Sequence, residues 1–106
     1  MKYKVKASLL PGKALDFYGI LTDGTLQNQK PDGAEIVASM KRAKITDANI
    51  IEWYELCYCP TPLAHERSTV YDRYFENLST QLVEEFSDMK GDSFWEFLEA
   101  EAGSPR

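Results

Sequence analysis

The chain has 106 residues (12.1 kDa), 43% of them apolar and 27% charged, which is the balance of one ordinary globular domain and excludes a second core or wholesale disorder. Twelve Lys and Arg against seventeen Asp and Glu give a net charge of −5, which disfavours general nucleic-acid binding. No apolar run approaches the roughly 18 residues that a membrane span needs, and the basic start Met1–Lys6 lacks the apolar region of a secretory leader, so a reducing cytoplasm is the expected address.

Lys2 to Leu10 alternates strictly, with Tyr3, Val5, Ala7 and Leu9 on one face and Lys2, Lys4, Lys6 and Ser8 on the other, which predicts a half-buried strand ended by Pro11-Gly12. Leu15, Tyr18 and Leu21 fall at helical spacing and predict a short helix over 13–22, closed by Asp23-Gly24. Thr25 to Pro31 is polar and reads as a surface connection. Asp32-Gly33-Ala34-Glu35 has the spacing of a capping box ahead of Ile36, Val37, Met40 and Ala43, which share one helical stripe. Asp47-Ala48-Asn49 reads as a turn, and Ile50 to Cys59, dense in β-branched and aromatic residues, predicts a central strand.

Beyond Thr61-Pro62, the residues Tyr71, Phe75, Leu78, Leu82, Phe86 and Met89 recur at spacings of four and three, which predicts a long helix reaching Lys90. Its stripe Tyr71, Phe75, Leu78 and Leu82 is expected to face the sheet, so that Leu78→Ala costs on the order of 2–5 kcal/mol. Ser93-Phe94-Trp95-Glu96 is a second capping box, opening a final helix that docks through Phe94, Phe97 and Leu98 and leaves Trp95 off the stripe. Residues 103–106 are expected to fray.

This order of elements predicts an α+β fold over 1–102, a small sheet with helices packed on one face, for which a ferredoxin-like two-layer sandwich is the nearest analogue. Two strands cannot make a stable sheet, so a third is sought in 24–31, in 43–48 or in a second subunit.

Glycine-rich phosphate loops, His-Glu-x-x-His, Gly-x-Ser-x-Gly and calcium-loop spacings are absent; no cofactor is implied and no catalytic residue can be assigned. The densest chemical group is Glu55, Cys57, Cys59, His65 and Glu66. On a strand, Trp53, Glu55, Cys57 and Cys59 share a face, which sets the two thiols about 7 Å apart between Cα atoms, with His65 able to fold back toward them. Zn²⁺ or Cu(I) suits such ligands. The Cys-x-Cys spacing lacks a second ligand pair, however, and the thiols read more simply as small core hydrophobes that react slowly and hold no stoichiometric metal. A catalytic Cys59 with His65 as its base is a variant of the same idea. Lys41, Arg42 and Lys44 crowd one helix end, where they complement its dipole or form a basic patch for an anionic ligand or acidic protein.

The leading expectation is therefore a non-catalytic interaction or ligand-binding module for an unknown protein or small-molecule partner, leaning away from an enzyme. The second is a thiol-based redox, metal-binding or enzymatic protein using Cys57, Cys59 and His65. Charge is uneven along the chain, with eight basic and six acidic residues up to Trp53 and four and eleven beyond it. A homodimer would complete the sheet and set Lys2, Lys4 and Lys6, or Lys41, Arg42 and Lys44, against the acidic side of the long helix.

Overall fold

The computed structural model describes residues 1–103. Its sheet is built from β1 (Lys2–Leu9), β2 (Lys44–Asp47), β3 (Ile50–Leu56), β4 (Phe75–Val83) and β5 (Asp92–Ser93), all antiparallel, in the order β4-β1-β3-β2-β5. Helices α1 (Ala14–Thr22) and α2 (Gly33–Arg42) join β1 to β2. A broken helical stretch joins β3 to β4: α3 (Ala64–Glu66), a π-helical turn (Arg67–Tyr71) and α4 (Asp72–Tyr74). Helix α5 (Phe94–Gly103) follows β5. The α+β class is as expected. The ferredoxin-like analogue is not established, because the β3–β4 connection is a series of short turns and a fifth strand and α5 are added. The fraying expected of 103–106 falls outside the described residues, apart from Gly103, which ends α5. No helix among the described residues is long and apolar enough to cross a membrane.

The strict alternation of β1 sets the register. Tyr3, Val5 and Ala7 lie opposite Glu55, Trp53 and Ile51, all six buried, while Lys4 and Lys6 lie opposite Tyr54 and Glu52 on the other face. β2 accompanies β3 only to the Lys44–Glu52 pair. Beyond it the edge of β3 would leave backbone groups unpaired, and α2 supplies the partners. Ser39 and Arg42 donate to the Tyr54 carbonyl at 3.3 and 2.8 Å, and the Leu56 N–H donates to Glu35 at 3.0 Å. The capping box expected at Asp32 is therefore not formed: α2 starts there, but Glu35 serves the sheet edge and Asp32 makes no cap bond.

The long helix expected through residues 61–90 is contradicted. Residues 75–83 form β4, which pairs with β1 from Leu9↔Phe75 to Lys2↔Val83 across a bulge near Ser8. Spacings of four and three suit a helix, yet β1 has an edge to be paired, and its ladder of hydrogen bonds decides the conformation. Tyr71 and Phe75 are buried as expected, but Leu78 is only half-buried and Leu82 is 58% exposed, so the cost expected for Leu78→Ala is too high. With this helix gone, so is the acidic surface on which subunit pairing was expected. The third strand comes from 43–48, as β2, whereas 24–31 forms turns. The sheet is complete within one chain.

Aromatic side chains fill the core between sheet and helices. Phe17 of α1 stacks on Tyr74 at 4.7 Å and meets Phe75 edge-on at 5.5 Å; Phe75 in turn lies 5.1 Å from Trp53 and 6.0 Å from Phe94. α5 docks through Phe94 and Leu98, both fully buried, while Phe97 stays 38% exposed. Trp95, off the stripe, is half-buried against Tyr18 at 5.6 Å.

Gly33 opens α2 where the chain passes tightly over the turn before it. A Cβ there would sit 1.8 Å from the Leu26 carbonyl oxygen, which no rotamer change relieves because the obstacle is backbone. Gly33→Ala is expected to destabilise by about 3 kcal/mol, the upper range for overpacking, and thermal denaturation measures it.

Candidate functional site

Inward parity on β3 carries Trp53 and Glu55 to Cys57, whose N–H still donates to the Met1 carbonyl at 2.9 Å. The chain then curls around the Cys57 sulfur. The Cys59 N–H donates to it at 3.3 Å. Leu63 adopts a left-handed conformation (φ 56°) that a bulky residue takes only under constraint, and its fully buried side chain provides that constraint. One turn later α3 brings Glu66 back over both thiols. Its Oε1 accepts from Cys59 at 3.4 Å and from Cys57 at 3.7 Å, and the three ligand atoms lie within 4.8 Å of one another.

Glu66 is 1% exposed and Glu55, beside the cluster on β3, is fully buried. The Trp53 N–H and the Tyr71 O–H both donate to Glu55 Oε1, at 2.8 and 2.5 Å, whereas Oε2 is buried without a partner among the described residues. Burial pushes the Glu55 carboxyl up to about 8, against the lowering influence of those two donors, and the charge of Glu66 adds to the rise. Burial also pushes the Cys57 thiol up to about 12 and, with Glu55, holds the Tyr71 hydroxyl well above its usual range. Cys57 is thus a neutral thiol at neutral pH, without the thiolate character a nucleophile requires.

Of the five residues the sequence grouped, three come together, Cys57, Cys59 and Glu66, while Glu55 shares the inward face of the strand but bonds to Trp53 and Tyr71. His65 does not join them. Its Nδ1 lies 2.5 Å from Asp32 Oδ2, tying α3 to the start of α2, so the thiol–imidazole pair needed for base-assisted catalysis is not assembled. Sequence reasoning missed Asp32, Tyr71 and Leu63 as parts of this region. The only signal for Asp32 was its place at a helix start, where it looked like a cap.

The basic patch is dispersed. Lys41 lies over the Trp95 ring at 5.4 Å; Arg42 pairs with Glu35 at 2.7 Å and stacks over Phe86 at 4.9 Å. Lys44 lines a cleft of about 620 Å³ with Arg42, Tyr54 and Phe86. Lys41 and Arg42 are thus engaged with rings and a carboxylate, while Arg42 and Lys44 share one cleft.

A different surface stands out at the opposite sheet edge. β4 pairs on one side only, and Leu82, in register with Tyr3 on the helix-covered face, reaches past that cover. Leu82 is 58% exposed, next to Tyr58 at 85% and Met1 at 56%, around a shallow cleft of about 580 Å³.

No protein-family model, curated protein or solved structure matches the chain.

Proposed function

We propose that the protein is a non-catalytic interaction domain of a reducing compartment, where its two free thiols stay reduced, and that its contact surface is the free edge of β4 with the apolar strip beside it. The observation that carries this reading is the exposure of Leu82 on the side of the sheet that should be its core. Residues 77–83, Asn-Leu-Ser-Thr-Gln-Leu-Val, contain no charge and no proline, the usual guards against edge pairing. Such an edge accepts another strand through backbone hydrogen bonds, with alternate side chains supplying specificity.

The simplest partner is a second copy, because an antiparallel edge paired about a twofold axis is self-complementary. Apolar contact selects the register. An axis at Thr80 would set Glu76 against the partner's Glu84, and an axis at Leu82 sets Glu76 against the partner's Asp88, so the choice falls to the apolar contact, which an axis at Leu82 makes by setting the two exposed Leu82 side chains together. The contact is then mainly apolar and survives moderate salt.

Sedimentation of the full chain at about tens of micromolar is expected to give a dimer at both low and moderate ionic strength. Leu82→Lys, at an exposed site that leaves the fold intact by circular dichroism, is expected to give a monomer by setting two cations face to face. A wild-type monomer under both conditions, or a dimer indifferent to this substitution, would remove the reading.

A further inference from the structure

The Glu66 carboxylate of α3 and two thiols converge, and no cation among the described residues pairs with that carboxylate. Glu66 is 1% exposed yet forms no ion pair among those residues; its Oε1 meets only the sulfurs of Cys57 and Cys59. The one cationic candidate nearby, His65, is directed to Asp32. Buried charge of this kind is normally paired or bound to a metal. Two residues before Cys57 in the chain, the fully buried Glu55 has one oxygen without a hydrogen-bond partner among the described residues.

The spacing of the converging atoms has a chemical meaning. Tetrahedral zinc, with Zn–S near 2.3 Å and Zn–O near 2.0–2.2 Å, places sulfur about 3.5 Å from a carboxylate oxygen. The two sulfur–oxygen separations here are 3.4 and 3.7 Å. The Cys59 backbone N–H already donates to the Cys57 sulfur. Such a donor stabilises a sulfur that carries charge, the arrangement that supports metal-bound thiolates.

We propose that Cys57, Cys59 and Glu66 form a three-ligand site for a thiophilic divalent cation of the Zn²⁺ class. On binding, each thiol gives its proton to solvent and its sulfur lone pair to the metal, and Glu66 adds a carboxylate oxygen, so two thiolates and one carboxylate surround the 2+ ion. Cys59 is only half-buried, which gives the site a route to solvent and leaves its fourth position for water or an exogenous ligand. The site lies apart from the β4 edge in its ligands and stands whether or not the chain dimerises.

Cobalt(II) is the probe, because thiolate-to-cobalt charge transfer in the near ultraviolet reports sulfur ligation and intense visible bands report tetrahedral geometry. Titrating the reduced, metal-free full chain with Co²⁺ is expected to saturate at one equivalent with both signals, and Zn²⁺ is expected to displace it. Cys59→Ser, at a half-buried position where the fold tolerates a hydroxyl, is expected to halve the charge-transfer absorption. Glu66→Gln is expected to keep the thiolate signal at saturation but to weaken binding at least tenfold. A folded wild-type protein that shows no charge-transfer band with excess Co²⁺, or only the weak spectrum of an octahedral oxygen site, would overturn the proposal and leave a pair of hydrogen-bonded thiols. A wild-type signal unchanged by Cys59→Ser would overturn it equally.

Discussion

Raising the pH from about 5 to about 9 is expected to cost the protein, kept metal-free with a chelator, on the order of 4 kcal/mol of stability, with Glu55→Gln removing most of that dependence. The cause is one carboxyl. Glu55 is raised from 4.5 to about 8 by burial, and a shift of one unit corresponds to about 1.4 kcal/mol. Below its unfolded value both states hold the proton and the group costs nothing. Between 4.5 and about 8 the unfolded chain releases the proton while the folded chain retains it, so stability falls as pH rises. Above that window the folded carboxyl also ionises and the loss levels off. The pattern is the reverse of a carboxylate held by a salt bridge, which loses stability in acid. In Glu55→Gln the amide oxygen can still accept from Tyr71 and Trp53, so the core contacts are kept while the titration is deleted. Denaturant unfolding across that pH range decides the matter: a flat profile for the wild type would show that Glu55 is not held in its neutral form.

Phe17→Ala is expected to destabilise by about 3–5 kcal/mol, the range for emptying a buried aromatic site. Phe17 has no exposed surface and sits where α1, α4, β4 and α5 meet, with rings of Tyr74, Phe75 and Phe94 at 4.7, 5.5 and 6.4 Å. No single neighbour can collapse into the space, since each is held by a separate element. The matched control is Leu15→Ala on the same helix. Leu15 is 43% exposed, so its truncation is expected to change stability by no more than about 0.5 kcal/mol. Urea denaturation of the two variants tests the facing of α1, and equal effects would mean that the helix is turned the other way.

That contrast also marks the reach of the sequence. Leu15, Tyr18 and Leu21 form an acceptable stripe on paper, and Leu21 is indeed buried, but the helix is rotated so that Phe17 rather than Leu15 enters the core. In a helix of nine residues, two stripes are nearly equivalent locally, and the larger ring wins only because aromatic partners from two distant segments, Tyr74-Phe75 and Phe94, await it.

Where one face is demanded by backbone geometry alone, the sequence sufficed. The alternation of β1, the stripe of α2, the paired burial of Phe94 and Leu98, and the shared inward face of Trp53, Glu55 and Cys57 all follow from periods of two or 3.6 residues. Tertiary structure decided the rest. Residues 75–83 carry helical spacing, and only the unpaired edge of β1, some seventy residues earlier in the chain, makes them a strand. The same event strips Leu82 of cover and creates the exposed edge. Glu66 and His65 are neighbours, yet the turn set by Leu63 sends one to the thiols and the other to Asp32. Local periodicity states which residues share a face; which edge, sulfur or carboxylate meets that face depends on contacts that close only when the chain has folded.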